Sequence, residues 1–252
     1  MIKVKSLNYS YGNVNILNDI SFTINESEVV GVIGPGGSGK STLLRCLANL
    51  LKPESGSVQN EFILNNSFCD KISLVIQEPE QQFFLDNVYD EVGFALKGLV
   101  SDEELEKKVL ESLRFVGFEG EINQSPFRLS GGQQRRVALA SILVMNPGIL
   151  LLDEPTVGLD ASGLMILRRL AKHYKQQGGI MIIASYDLDF LYSVVDRFLL
   201  FSDGKLIADF KTEEFNRYQN ILMEMGLEIP ELVKITARDI PQSILLKIRD
   251  IE

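Results

Sequence analysis

The chain has 252 residues, of which 45% are hydrophobic and 23% charged. That balance suits a soluble globular fold with a substantial core and is too apolar for disorder. Its 25 basic and 34 acidic residues leave a net charge of −9, which argues against DNA or RNA as the main ligand, because a phosphate backbone is held by clustered Lys and Arg.

The first 25 residues read as β structure. Ile2 and Val4, then Ile20, Phe22 and Ile24, alternate with polar residues as half-buried strands do. The continuous apolar run Val29 to Ile33 reads as a strand buried on both faces, followed by a Gly-rich turn and a helix over Lys40 to Leu50. Ile72 to Ile76 is a short strand candidate. Ser101 and Glu104 form a capping box, and Leu105, Val109, Leu113 and Val116 continue it at helical spacing. Residues 132–144 and 162–176 read as helices, and 149–153 and 180–184 as buried strands. Asp203-Gly204, between Phe198–Phe201 and Lys205–Ala208, signals a hairpin. Glu213 to Gly226 reads as helical, with Pro230 and Pro241 punctuating the rest. The alternation predicts an α/β fold with a mainly parallel sheet, preceded by an antiparallel β portion. The change of pattern after residue 211 predicts a small appendage over 212–252.

Cys46 and Cys69 are too few for a disulfide scaffold or a zinc site, and a reducing cytosol is the simplest setting. The opening MIKVKSLNYSYG shows no signal-peptide pattern. No apolar run approaches the length of about 18 residues that reads as a membrane span. Any membrane role must therefore come through a partner. The single histidine, His173, provides neither a metal cluster nor a Ser-His-Asp triad; beside Lys172 and Lys175 it reads as a solvated surface residue.

Gly34-Pro35-Gly36-Gly37-Ser38-Gly39-Lys40-Ser41-Thr42 satisfies G-x-x-x-x-G-K-[ST], after a buried strand and before a helix. Glycines let backbone N–H groups wrap a phosphate, and the helix N-terminus adds partial positive charge. Lys40 supplies a full charge to the β and γ phosphates, and the Ser41 hydroxyl can ligate Mg2+. Ile149 to Leu152 then ends in Asp153 and Glu154, where a strand of an open α/β sheet meets its ligands. Asp153 can hold Mg2+, directly or through water, and Glu154 can orient an attacking water.

Leu129-Ser130-Gly131-Gly132-Gln133 lies between these elements, 89 residues after Lys40. This arrangement resembles the ATP-binding cassette (ABC) ATPases over residues 1 to about 211. The resemblance implies a nucleotide-binding domain over 1–211, with a helical subdomain over about 78–143 and ATP and Mg2+ as cofactors. It implies head-to-tail pairing of two such subunits, with each ATP between one phosphate loop and the other subunit's Ser130, Gly131, Gly132 and Gln133. Tyr11 matches the aromatic that stacks on adenine. Gln77 matches the glutamine near Mg2+ and the attacking water, and Asp160 matches the loop that crosses the dimer interface.

Gln77-Glu78-Pro79-Glu80-Gln81-Gln82-Phe83-Phe84 is similar to the Q-N-P-D-D-Q-like run of energy-coupling factor (ECF) and cobalt-type importer ATPases, with Glu in place of two usual residues. Met225-Gly226-Leu227-Glu228-Ile229-Pro230 is similar to that group's C-terminal extension. The likeness implies a peripheral position on the cytoplasmic face of the membrane. It implies a membrane-embedded coupling protein and a membrane subunit that captures a vitamin or metal ion. It also favours dimer contact by residues 212–252, although regulation or simple packing fits the residues equally.

One departure stands out. In Ala184-Ser185-Tyr186-Asp187, Tyr186 occupies the position of the family's switch histidine. A phenol differs from an imidazole in reach and stays protonated at neutral pH. Losing one preorganised contact to developing charge costs roughly 100- to 1,000-fold in rate. The expectation is a chain that binds ATP but turns little over in its own site, and that pairs with a partner carrying the histidine. A homodimer that functions with Tyr186, a non-hydrolysing regulatory subunit, and a soluble ABC ATPase outside transport are the alternatives.

Overall fold

The computed structural model describes residues 1–60, 69–78 and 83–236. A three-stranded antiparallel sheet of order β2-β1-β4 is built from β1 (Ile2–Tyr11), β2 (Val14–Ile24) and β4 (Ser55–Asn60). The remaining strands are β3 (Val29–Ile33), β5 (Cys69–Val75), β6 (Pro147–Asp153), β7 (Ile180–Ala184), β8 (Arg197–Ser202) and β9 (Lys205–Lys211). They form a six-stranded sheet of order β5-β6-β7-β3-β8-β9. All its pairings are parallel except β8 with β9. The α/β class with an antiparallel β portion is therefore as the sequence pattern predicts.

Period-two alternation along the central strands divides two cores. Val29, Leu150, Leu152, Met181 and Ile183 face the helices α2 (Val88–Gly93), α3 (Asp102–Phe115), α4 (Gly131–Leu143), α5 (Ala161–Gln177) and α6 (Leu188–Val194). Val30, Val32, Ile149, Leu151, Ile180 and Ile182 face α1 (Lys40–Leu47) and the antiparallel sheet. Each fully buried aliphatic side chain contributes about 1.5–3 kcal/mol relative to exposure, so strands apolar on both faces are driven to the middle of the molecule. The central strands are thereby fixed in register, and so is the loop that follows β3.

The Asp203-Gly204 turn forms as expected, with both residues at positive φ (48° and 73°). A Cβ on Gly204 would meet the Ile16 carbonyl oxygen at 2.4 Å, so glycine is imposed by a neighbour as well as by the turn. Three local expectations change. The first helix stops at Leu47, because Asn49 adopts φ 57°. The Ser101 cap works in one direction: its hydroxyl accepts from the Glu104 N–H at 3.3 Å, while the Glu104 carboxylate pairs with Lys108 at 3.6 Å. His173 is half-buried, not solvated, with its ring edge-on to Phe115 and Tyr174, and burial lowers its pKa.

The helical reading of Glu213 to Gly226 resolves into a 3-10 helix over Thr212–Tyr218 and α7 (Gln219–Glu224), followed by α8 (Glu231–Thr236). Phe215, Leu222, Leu227, Ile229 and Val233 are buried in the same core as Phe198 and Leu200. Tyr218 stacks on Phe210 at 3.9 Å between ring centroids. The described part of the C-terminal segment thus packs on its own sheet. Residues 79–82 of the Gln77–Phe84 run, and residues 237–252, lie outside the described residues.

Candidate functional site

The buried strand β3 delivers Gly34 to Ser38 directly into the first turn of α1. Gly34 has φ 147°, and a Cβ there would sit 2.1 Å from the Phe201 carbonyl oxygen. Any other residue would force β8 away, so this glycine is demanded by the fold itself. The Ser38 hydroxyl is buried inside the loop without a protein partner. An orphaned donor in a Gly-lined cradle fits an anion with several acceptor oxygens.

Lys40 is nearly fully buried and donates to the carbonyl oxygens of Gly34 at 2.7 Å and Pro35 at 3.0 Å. Burial lowers its pKa, while Glu154 and Asp153 pull it back up. Its ammonium lies 4.1 Å from the centre of the Tyr186 ring, a cation–π contact. Beside it, the Ser41 hydroxyl donates to Asp153 Oδ1 at 3.0 Å, so two hard oxygen ligands stand together at the loop. Among the described residues no three His, Cys, Asp or Glu side chains gather as a metal cage. That donor set fits Mg2+, which takes one or two protein oxygens and completes its shell with phosphate and water.

Glu154 follows Asp153 at the end of β6, with φ 50° and its N–H bonded to the Ala184 carbonyl at 2.8 Å. Its Oε2 accepts from the Ser185 hydroxyl and from the Tyr186 N–H, both at 3.2 Å. Ser185 is itself held by Thr156 at 3.1 Å. The other oxygen, Oε1, is buried and unpartnered. Burial raises the pKa of Glu154, and likewise that of Asp153, the direction that favours a carboxylate able to take a proton. Gln77 is exposed and lines a small cavity of about 40 Å³ together with Glu154 and Arg135.

The second group of expected residues assembles elsewhere. Ser130 caps α4 through a full capping box with Gln133: the Gln133 N–H donates to the Ser130 hydroxyl at 3.4 Å, and the Ser130 N–H to Gln133 Oε1 at 3.1 Å. Asp160 caps α5 by accepting from the Gly163 N–H at 2.8 Å. Ser130, Gly132, Gln133, Gly158 and Asp160 wall one open cavity of about 420 Å³. Arg136 ties this face together. It donates to the Gly117 carbonyl at 2.8 Å and to the Ser162 hydroxyl at 2.6 Å, and lies 3.7 Å from Asp160.

Lys40, Ser41, Asp153, Glu154 and Tyr186 are thus brought together in one site, and Ser130 to Gln133 with Asp160 in another. Tyr11 ends β1 exposed, edge-on to Tyr9 at 5.0 Å. Two supporting residues escaped the sequence reading. Ser185 was visible as the neighbour of Tyr186, but nothing in the sequence marks its hydroxyl as the support of Glu154. Arg136 gives no local signal at all, since its partners are 19, 24 and 26 residues away.

A family model described as "ABC transporter" matches residues 17–157. The chain belongs to the ABC transporter family. It is an ABC ATPase with the fold described above. It is 36% identical over 252 aligned residues to the energy-coupling factor transporter ATP-binding protein EcfA2 of Caldanaerobacter subterraneus, covering 93% of this chain and 87% of that protein. To EcfA2 of Thermotoga maritima it is 41% identical over 203 residues, covering 79% and 76%. Among solved structures, cbiO1 from Clostridium perfringens, part of the ABC transporter complex cbiONQ, matches with TM-score 0.71 at 30% identity, covering 94% of this chain and 98% of that one. The dimeric post-hydrolysis state of an ATP-binding cassette bound to ADP and Pi matches with TM-score 0.74 at 32% identity, covering 84% and 99%.

Proposed function

We propose that this ABC ATPase is the energy-coupling subunit of an ECF-type membrane importer for a vitamin or metal ion, and the degenerate-site half of an ATPase heterodimer. The names of its relatives support the importer role. Tyr186 at the switch position supports the division of labour.

In this reading the loop from Gly34 to Thr42 holds the phosphates of ATP, with Tyr11 against the base. Ser41 and Asp153 hold Mg2+, with Gln77 nearby; the ion supplies charge neutralisation across the phosphates. Glu154, steadied by Ser185 and the Tyr186 N–H, faces the attacking water. Hydrolysis is therefore chemically possible, yet no imidazole meets the γ-phosphate. Ser130 to Gln133 and Asp160 face the partner's nucleotide, where the α4 N-terminus adds partial positive charge.

The glycines favour a role in trans for that face. A Cβ on Gly131 or Gly132 would meet nothing within 4 Å, so this chain's own packing does not require them. Glycine in a helix costs up to about 1 kcal/mol relative to alanine. A closely approaching partner supplies the missing reason. The coupling protein would meet Gln77 and the segment Phe83–Phe94, where Phe84 and Phe94 stand exposed. Among the described residues no helix is long and apolar enough to cross a membrane, so solute selection falls to the membrane subunits, with this chain peripheral on their cytoplasmic side.

The observation that carries the proposal is the Tyr186 ring beside an otherwise complete Lys40–Ser41–Asp153–Glu154 site. ATP hydrolysis measured for the purified chain alone, then mixed with its partner ATPase, tests it. The expected outcome is weak turnover alone, stimulated by the partner, with Tyr186→His raising the rate of the isolated chain. Robust turnover alone, insensitive to Tyr186→His, would overturn it.

A further inference from the structure

The Tyr186 ring does more than fail to replace an imidazole. Lys40 uses its ammonium toward the Gly34 and Pro35 carbonyls at 2.7 and 3.0 Å, and the ring covers it at 4.1 Å. The phenol end reaches across the loop, since a Cβ on Gly36 would lie 3.6 Å from the Tyr186 hydroxyl oxygen. The same residue's N–H holds Glu154. The ring therefore spans the space between the loop lysine and the carboxylate. A terminal phosphate that contacts Lys40 and faces a water held by Glu154 has to occupy that space. Tyr186 is nonetheless 50% exposed, so its ring can swing outward without breaking the core.

We propose that Tyr186 is a specificity-determining residue that competes with the γ-phosphate for Lys40 and so narrows this site's preference for nucleoside triphosphate over diphosphate. This rests on the reading of Lys40 as the phosphate-binding lysine. A diphosphate is held by the loop N–H groups and, through its β-phosphate, by Lys40, and leaves the ring in place where the γ-phosphate would sit. A triphosphate displaces the ring, and its binding loses the cation–π contact. A contact of this type accounts for roughly 2- to 30-fold in affinity. The advantage of ATP over ADP at this site is then reduced by that factor, which suits a half that stays loaded while its partner turns over.

The test is equilibrium binding of ADP and of the β,γ-imido analogue of ATP, each with Mg2+, to the full-length wild type, Tyr186→Ala, Tyr186→Phe and Lys40→Ala. Circular dichroism of each variant checks that it is folded. Tyr186→Ala should tighten the triphosphate analogue roughly 2- to 30-fold and move ADP by less than about twofold, while Tyr186→Phe, which keeps the ring, should match wild type. Unchanged triphosphate binding in Tyr186→Ala, or weaker binding in either Tyr186 variant, would overturn the competition. Lys40→Ala separates this from the underlying reading: loss of both nucleotides sustains the phosphate site whichever way the Tyr186 variants fall, and unchanged binding would remove the premise.

Discussion

The phosphate-loop face and the signature face of this chain are built on opposite plans. The first is closed and internally constrained. Gly34 is wedged against β8, Lys40 is bonded to its own loop, and Glu154 is clamped by Ser185 and the Tyr186 backbone. The second is open. Ser130, Gly132, Gln133 and Asp160 wall a broad cavity, and Gly131 and Gly132 touch nothing that a methyl group would disturb. Glycine demanded from inside marks a site the chain builds alone. Glycine with free space around it and no positive φ, as at Gly131 and Gly132, is not demanded by the chain's own packing.

That contrast can be broken most directly by adding a methyl group on each side. Gly34→Ala should destabilise the isolated chain by about 3 kcal/mol or more, through strain and the 2.1 Å approach to Phe201. Gly132→Ala should leave its stability unchanged or raised by up to about 1 kcal/mol. Thermal or urea unfolding measures both, and equal losses would erase the distinction.

A smaller effect sharpens it. Arg136 is what holds the open face in shape, by bonds to Gly117, Ser162 and the more exposed Asp160. Arg136→Ala should cost about 1–2 kcal/mol, mainly from the two hydrogen bonds, because the exposed ion pair adds little. It should also weaken pairing with the partner ATPase while leaving nucleotide binding by this chain's own loop intact. Titration of the partner against the variant separates the two readouts.

The smallest effect is a pH slope from His173, which packs against Phe115 and Tyr174. Burial lowers its pKa below the ordinary 6.5. As pH falls through that ordinary value, the unfolded chain takes up the proton first, so stability present above about 6.5 declines toward the depressed folded value. His173→Phe should remove this component of the slope, read from unfolding midpoints across that range.

The long buried strands, and the segments that leave two of them, were legible because each combines a strong apolar pattern with a motif: Val29–Ile33 leads into the Gly-rich loop, and Ile149–Leu152 into the acidic pair. The edges were not. β4 (SGSVQN) has a single apolar residue and exists through pairing with β1. The helices α2 and α6 span only six and seven residues, too short for periodicity to register, and depend on caps from Asn87 and Asp187. In the site, the motif residues announced themselves. The Ser185 support of Glu154 and the Tyr186 ring over Lys40 did not, because both arise from the end of β7 standing between the ends of β6 and β3. His173 was misread because its charged sequence neighbours gave no hint of Phe115.

In the proposed heterodimer, catalysis draws on this chain's Ser130–Gln133 face rather than on its own Glu154. The most direct measurement is ATP turnover by the fully assembled complex carrying either Gly132→Asp or Glu154→Gln in this chain. Gly132→Asp has room to fold and sets a negative charge against the partner's nucleotide, so turnover should collapse; Glu154→Gln should leave most of it. Collapse with Glu154→Gln and near-normal turnover with Gly132→Asp would contradict the account.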